Sequence, residues 1–260
     1  MYLDVVHLKA FYDQPIGRIV RQHLGNGLRD LRPPHTGEIV LGVGYATPYL
    51  PPYLSTAERV LAFMPSTQGV TAWPRDRDNC AALVEEEAWP LPDSSIDCLV
   101  TVHGLDMVDN PRAFLREAWR VLVPGGRLIA VVPNRSGLWA RVETSPFGYG
   151  RPYSRAQLNH LLKEAMFAPR NWAQGLHFAP FSSRWLLSSA RAFERFGRRF
   201  LPAFSGVILV DAEKQMTLGV VATGKNRKAP VFRPVFLPQA APRGEPAHRH
   251  HDRQASPANK

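Results

Sequence analysis

Cysteine is nearly absent: Cys80 and Cys98 are the only two in 260 residues, and no Cys-x-x-Cys pair occurs. That excludes a disulfide framework and a thiolate zinc site, and it fits a reducing, cytoplasmic setting. Cys98 falls in an apolar strand pattern and reads as a small core residue. No apolar run reaches the roughly 18 residues of a membrane-spanning helix. The opening MYLDVVHLKAFYDQP lacks the basic-then-apolar order of a secretory leader. Acidic residues are scarce too. Against 32 Lys and Arg stand 22 Asp and Glu, a net charge of +10. Residues 224–260 hold eight of the bases, two of the acids and six prolines, so this tail carries +6 and the remainder only +4. Such a composition cannot bury enough apolar surface to offset chain entropy, and predicts a disordered, basic, Pro-rich tail. A tail of this kind can touch nucleic acid, but more often serves solubility. His248, His250 and His251 within it are a poor metal signal.

What is present is an alternation of strands and helices. Apolar positions at Leu3, Val6, Leu8, Phe11, Ile16, Ile19, Val20 and Leu24 suggest one or two amphipathic helices around Gln14-Pro15. EIVLGVG (38–44), AERVLAFM (57–64), NCAALVE (79–85) and SIDCLVTVHGL (95–105) read as strands, the last with the continuous apolar run of one covered on both faces. NPRAFLREAWRVLVPGG (110–126) reads as a helix. Asn110 caps it, Pro111 fits its first turn, and Ala113, Phe114, Ala118, Val121 and Leu122 form its buried stripe up to a stop at Pro124-Gly125-Gly126. RLIAVVP (127–133) is a fifth strand, SRAQLNHLLKEAMF (154–167) a helix capped by Ser154, and RNWAQGLHF (170–178) a weaker strand. An arginine-rich helix (182–200) and one or two last strands (206–224) follow. This order predicts an α/β fold with a mostly parallel, doubly wound sheet.

LPDSSIDCLVTVHGLDMVDNPRAFLREAWRVLVPGGRLIAVVPN, residues 91–134, resembles the core of class I S-adenosylmethionine-dependent methyltransferases, the type that includes the ubiquinone and menaquinone enzymes. Weaker resemblance extends from Glu38 to Phe167. It implies a Rossmann-like seven-stranded sheet with a C-terminal antiparallel strand and S-adenosylmethionine lying across the carboxyl ends of the first four strands. Residues 1–223 then form one domain: a helical cap (1–37), a core (38–167) and a C-terminal sheet and helix (168–223), followed by the tail at 224–260.

The family's nucleotide loop runs acid-x-Gly-x-Gly-x-Gly after the first strand. Here the acid falls on Gly42 and the glycines on Gly44, Ala46 and Pro48, so one of the four positions matches. Thr47-Pro48 can start a helix, whereas Pro51 delays it, toward Pro52. The family's second acid, at the end of strand two, is replaced by Ala62, Phe63 and Met64. Two lost charged hydrogen bonds, each worth roughly 1.5–3 kcal/mol, would weaken donor binding by about two to four orders of magnitude. Tyr45 or Phe63 can compensate by stacking on adenine, and Met64 by shaping an apolar ribose wall. After strand three, Glu85 or Glu86 matches the family acid near the adenine amino group, unless the glutamates are simply solvated. The Ala88 N–H would serve the adenine ring and Trp89 would roof it. The cofactor set implied is therefore Gly42, Gly44, Tyr45, Ala46, Met64, Glu85, Glu86 and Ala88.

For catalysis the candidate is His103, at the end of strand four, as general base; the alternative is a histidine packed at a strand end. Asn134 is placed to face the acceptor. The loop ETSPFGYGRPYSR (143–155) offers Phe147, Tyr149, Arg151 and Tyr153 as lining. Arg141, Arg151 and Arg155 favour an anionic small-molecule acceptor, or are plain surface arginines. The leading expectation is a methyltransferase for a small molecule. The alternative, motivated by the missing acids, is an inactive relative serving interaction or regulation. An RNA-associated protein rests on the tail alone. A nicotinamide dehydrogenase is disfavoured, because no third glycine follows GVGYAT and no acid ends strand two.

Overall fold

The apolar runs do become strands. In a computed structural model, which describes residues 3–180 and 205–216, seven strands form one sheet: β1 (Ile39–Gly44), β2 (Arg59–Pro65), β3 (Ala81–Val84), β4 (Ile96–Val102), β5 (Leu122–Pro133), β6 (Phe167–Gly175) and β7 (Val207–Lys214), in the order β3-β2-β1-β4-β5-β7-β6. The first five run parallel, and β7 is antiparallel to both β5 and β6. The chain divides into two units, Met1–Gly219 and Val220–Lys260, and every described residue belongs to the first. The arginine-rich segment 182–200 and the tail 224–260 lie outside the described residues.

Two helices precede the sheet, α1 (Val5–Asp13) and α2 (Pro15–Leu31), with the break at Gln14-Pro15 that the proline predicts. Gly17 lets the two helices approach closely, since a Cβ there would overlap the Phe11 carbonyl. Leu8, Phe11, Tyr12, Ile16, Val20, Leu24 and Leu28 are buried against one sheet face. Val6, expected in that stripe, is 69% exposed. The other face is covered by α3 (Pro111–Val121) and α5 (Arg155–Glu164). The Asn110 side chain accepts from the Ala113 N–H, and Ser154 and Gln157 form a capping box. Helix α3 ends at Val121 rather than at the Pro-Gly-Gly, because Leu122 already pairs with Ile96 as the start of β5. A short α4 (Pro146–Tyr149) lies in the loop after β5.

Parallel strands usually cross over through a helix. Between β1 and β2 this chain has only two 3-10 turns, Thr47–Tyr49 and Pro51–Tyr53. The helix expected near Pro52 does not form, because Pro48, Pro51 and Pro52 remove the N–H groups an α-helix needs to continue. No helix lies between β2 and β3 or between β3 and β4. The start of α1 is tied instead to the β2–β3 connection, through the Val5 N–H to the Gln68 carbonyl (2.7 Å).

At the end of β7, the Lys214 ammonium is buried over the Trp119 ring (4.0 Å) and donates to the Leu122 carbonyl. Burial lowers its pKa below the ordinary lysine value. Between the folded and unfolded values the unfolded chain binds more protons, so this lysine's contribution to stability rises as pH climbs through the folded value. Lys214→Met is therefore expected to stay within about 1 kcal/mol of wild type at pH 7. The wild type should then gain on the variant between pH 7 and pH 10 in urea unfolding. A difference flat across that range contradicts the assignment.

Candidate active site

The carboxyl ends of β1 and β4 define the site, because strand order reverses between them and open sheets bind ligands at such a point. Gly44 ends β1 with φ +81°. A Cβ there would lie 2.6 Å from the Val102 carbonyl oxygen and 2.7 Å from the Gly104 nitrogen. The glycine thus permits both the positive φ and the close approach of the two backbones. The next N–H, that of Tyr45, donates to the Val102 carbonyl (2.8 Å). Ala46 is in the right-handed helical region (φ −83°), where alanine is as good as glycine.

Gly42 has a different setting from the one expected. A Cβ at this position would lie 2.6 Å from Leu50 Cδ1 and 3.1 Å from the Ala46 Cβ, and Leu50 is fully buried. The leucine of the 3-10 turns fills the space that a carboxylate would take. At the end of β2, Met64 is buried and its sulfur receives the Thr71 N–H (3.4 Å). Glu85 and Glu86 hold the Ser66 hydroxyl (3.4 Å) and the Thr67 hydroxyl (2.6 Å), tying the β3 end to the β2 end, while Ala88 is exposed. Trp89 does not roof a pocket at the rim. Its backbone N–H donates to Glu117 Oε1 (2.7 Å) and its ring stands edge-on to Phe114 beneath α3. Burial raises the Glu117 pKa, but the Arg120 guanidinium and the Trp89 N–H outweigh it and hold the carboxyl below the usual range.

His103 sits in the left-handed region (φ 51°) and is 1% exposed. Its Nε2 lies 2.9 Å from the Tyr12 hydroxyl, which in turn accepts from the Tyr49 hydroxyl (3.0 Å). If each hydroxyl donates onward, Nε2 is the acceptor and Nδ1 carries the proton. Nδ1 faces Asp106 Oδ2 at 3.8 Å, and the His103 carbonyl accepts from Gln68. The imidazole also packs on Phe147, with centroids 4.8 Å apart. Tyr12 stacks on Tyr45 (5.5 Å, 25°), and burial pushes the Tyr12 phenol well above its ordinary pKa and that of Tyr45 up to about 12. Both phenols are therefore neutral at pH 7.

The sequence did not single out Tyr12, Tyr49 or Gln68. Tyr12 follows Leu8 at helical spacing, which signals a buried face. Nothing in the sequence signals its hydrogen bond to a residue 91 positions away. Asn134 turns out to spend its amide on Ser205, donating to its carbonyl (2.8 Å), instead of facing a ligand. Phe147 and Tyr153 are buried, Tyr149 and Arg151 are exposed, and Arg155 lies over the Trp172 ring (4.9 Å).

Beside Tyr45 opens a cleft of about 450 Å³, lined in part by Tyr12, Asp13, Thr47, Thr71, Trp73 and Asp76. A reversing parallel sheet with a glycine turn at the switch and an adjoining cleft is the arrangement in which open α/β domains bind ligands. Residues 38–130 match the family described as Methyltransferase domain. A probable S-adenosylmethionine-dependent methyltransferase of Mycolicibacterium smegmatis is 35% identical over 80 residues, 30% of this chain and 31% of that protein. The ubiquinone/menaquinone biosynthesis C-methyltransferase UbiE of Hahella chejuensis is 49% identical over 45 residues, 17% of this chain and 18% of that one. The matched stretches thus span about a third or less of these relatives. Among solved structures, a methyltransferase of Thermotoga maritima described as a possible histamine N-methyltransferase aligns with a TM-score of 0.54 at 19% identity, covering 80% of this chain and 93% of that one. A chain from the complex of the Haloferax volcanii Trm112 methyltransferase activator with the putative methyltransferase aligns at 0.59 and 16% identity, covering 83% and 100%. At these identities the solved structures speak for the fold. The likeness to methyltransferases is thus carried in sequence by residues 38–130 and in fold by the sheet as a whole.

Proposed function

We propose that this chain transfers a methyl group from S-adenosylmethionine to a small-molecule acceptor. The observation that carries the reading is the switch point itself, where Gly44 brings the backbones of β1 and β4 together beside the Tyr45 cleft. The residues present suit the donor, though not through the customary acids. Tyr45 and Trp73 offer aromatic walls for adenine, and Asp13 and Asp76 offer carboxylates for ribose hydroxyls in place of the acid missing near Met64. Gly44, Ala46, Glu85, Glu86 and Ala88 remain as rim contacts of this reading, while Gly42 serves packing.

The donor supplies a methyl group already activated on a sulfonium, so the protein's part is positioning, exclusion of water and removal of a proton where the acceptor carries one. His103 is too buried to touch an acceptor directly, and Tyr12 stands between it and the cleft. A proton leaving the acceptor passes to Tyr12 Oη as the phenol proton passes to His103 Nε2. The imidazolium so formed presents Nδ1–H to Asp106. Tyr12→Phe breaks this relay and keeps the stack on Tyr45.

A second reading, an inactive relative that serves interaction, is favoured by Leu50 in the acid's place and by the capped histidine. Titration with S-adenosylhomocysteine separates the two. At about a hundred times its Kd the ligand stabilises the fold by about 2.7 kcal/mol, a measurable rise in Tm. We expect that rise, and no rise at millimolar ligand leaves the second reading standing.

A further inference from the structure

Three arginines stand on one face of α2: Arg18, Arg21 and Arg29, all exposed. None is ion-paired among the described residues. Asp13 and Glu38, on either side of the helix in sequence, are taken by Lys9 (3.4 Å) and Arg32. The Asn26 amide oxygen accepts from Arg29 and aims its guanidinium, which leaves the amide N–H groups as further donors. These four residues line a cleft of about 550 Å³ between α2 and the 3-10 turns of the β1–β2 connection, and no Asp or Glu is among its described lining residues. The wall on the side of the turns is Pro48, Pro51 and Pro52, rigid, apolar and without N–H groups. On the helix side lies Gly25. Among the glycines of α2, Gly17 has the Phe11 carbonyl against it and Gly27 would place a Cβ 3.3 Å from Leu209 Cδ2, but a Cβ at Gly25 would meet nothing within 4 Å. Packing does not require this glycine, and glycine inside a helix is less stable than alanine. Like charges one turn apart on a helix repel as well. Two local rules are thus broken at one cleft, as happens where a site serves a ligand.

We propose that this cleft binds a small molecule carrying two phosphate groups, one held by Arg18 and Arg21 and the other by Arg29 with Asn26, its carbon body crossing Gly25 against the proline wall. Planar guanidinium forks suit phosphate oxygens. The helix rise sets the span: Arg18 and Arg21 are about 4.5 Å apart along the axis, and Arg29 lies about 12 Å beyond Arg21. A single phosphate therefore engages one end only. A nucleic-acid strand fits less well, because Tyr49 and Tyr53, the aromatic residues of the described lining, are each 4% exposed and leave no ring face for a base to stack on. The site does not depend on the methyl donor. Arg21, Pro48 and Pro51 also line the cleft beside Tyr45, so a ligand seated here has one end next to it.

Calorimetry at pH 7 and low salt, without any nucleoside, compares fructose 1,6-bisphosphate, fructose 6-phosphate and fructose as probes. The bisphosphate should bind the full chain at least about tenfold more tightly than the monophosphate, the difference expected of one further charge-assisted contact, and fructose should not bind. Arg29→Gln should bring the bisphosphate down to about the affinity of the monophosphate. Gly25→Leu keeps every charge, those of residues 224–260 included, and fills the cleft from a position with open space around it. It should keep or raise Tm and weaken bisphosphate binding by at least about tenfold. Either variant decides the matter if near-UV circular dichroism shows the other unfolded. Unchanged bisphosphate affinity in folded Gly25→Leu would assign the binding to charge elsewhere on the chain and overturn the proposal. No binding at millimolar bisphosphate, or equal binding of bisphosphate and monophosphate, overturns it as well. So does an oligouridylate that binds more tightly than the bisphosphate and is lost in Gly25→Leu, since a nucleic-acid strand would then be the occupant. Bisphosphate binding that Gly25→Leu abolishes, found alongside failure of S-adenosylhomocysteine to bind, would uphold this site and remove the methyltransferase reading.

Discussion

Gly44→Ala is expected to cost about 2–4 kcal/mol of folding stability and to lower Tm by roughly 5–15 °C. Two separate costs add. A non-glycine residue at φ +81° is strained by about 1 kcal/mol. The new methyl would also meet the Val102 carbonyl and the Gly104 nitrogen and Cα at 2.6–2.8 Å. These are backbone atoms held by the β4 pairing, so no rotamer change relieves the overlap, and β1 and β4 must part. The Tyr45 to Val102 hydrogen bond is the first to suffer. S-adenosylhomocysteine binding should fall with it, because the same backbone forms the switch point. Ala46→Gly, two residues on and at helical φ, is the control and should change stability by less than about 1 kcal/mol. Thermal and urea unfolding of the two variants check this directly. A Gly44→Ala protein within 1 kcal/mol of wild type would show that β1 and β4 are less tightly joined than the geometry has it.

This contrast explains what the sequence could and could not reveal. The strands were legible because Leu128–Val132 is apolar without interruption and Ile96–Val102 is apolar but for Asp97 and Thr101, as befits strands covered on both faces. The ends of α3 and α5 were legible where a side chain closes the first turn, as Asn110 and Ser154 do. Its stop was misread, because the pairing of Leu122 with Ile96 overrides the local Pro-Gly-Gly signal. Gly44 was legible from the loop motif, since a positive φ is a local property. The Tyr12–His103 bond joins segments 91 residues apart, and no local pattern carries it. The same holds for the approach of Gly150 to Asp106 from beyond α3 and β5, whereas His103 is only three residues from Asp106. Trp89 was assigned to the rim by its place after β3, yet Glu117 on α3 draws it to the opposite face.

Gly42→Asp restores the acid of the family loop, and it should destabilise this chain by about 3–5 kcal/mol. The position is not free to take it. Leu50 Cδ1 lies 2.6 Å and the Ala46 Cβ 3.1 Å from the would-be Cβ, so the carboxylate would be driven among buried apolar side chains. Glycine at 42 and leucine at 50 are thus one packing solution, forced by the prolines that shortened the β1–β2 connection to 3-10 turns. Leu50→Ala alone should cost about 2–5 kcal/mol through the cavity it leaves. In the double variant the carboxylate occupies space vacated by the leucine, so the two losses should not add. The double variant is expected to be more stable than their sum by about 1–3 kcal/mol. It should also bind S-adenosylhomocysteine about tenfold more tightly than Leu50→Ala, as one regained charged hydrogen bond requires. A double-mutant cycle by urea unfolding, with calorimetry on the folded variants, measures both quantities. Strict additivity, or unchanged affinity, would mean that Leu50 is incidental core packing and that the donor's methionine end is held elsewhere on the rim.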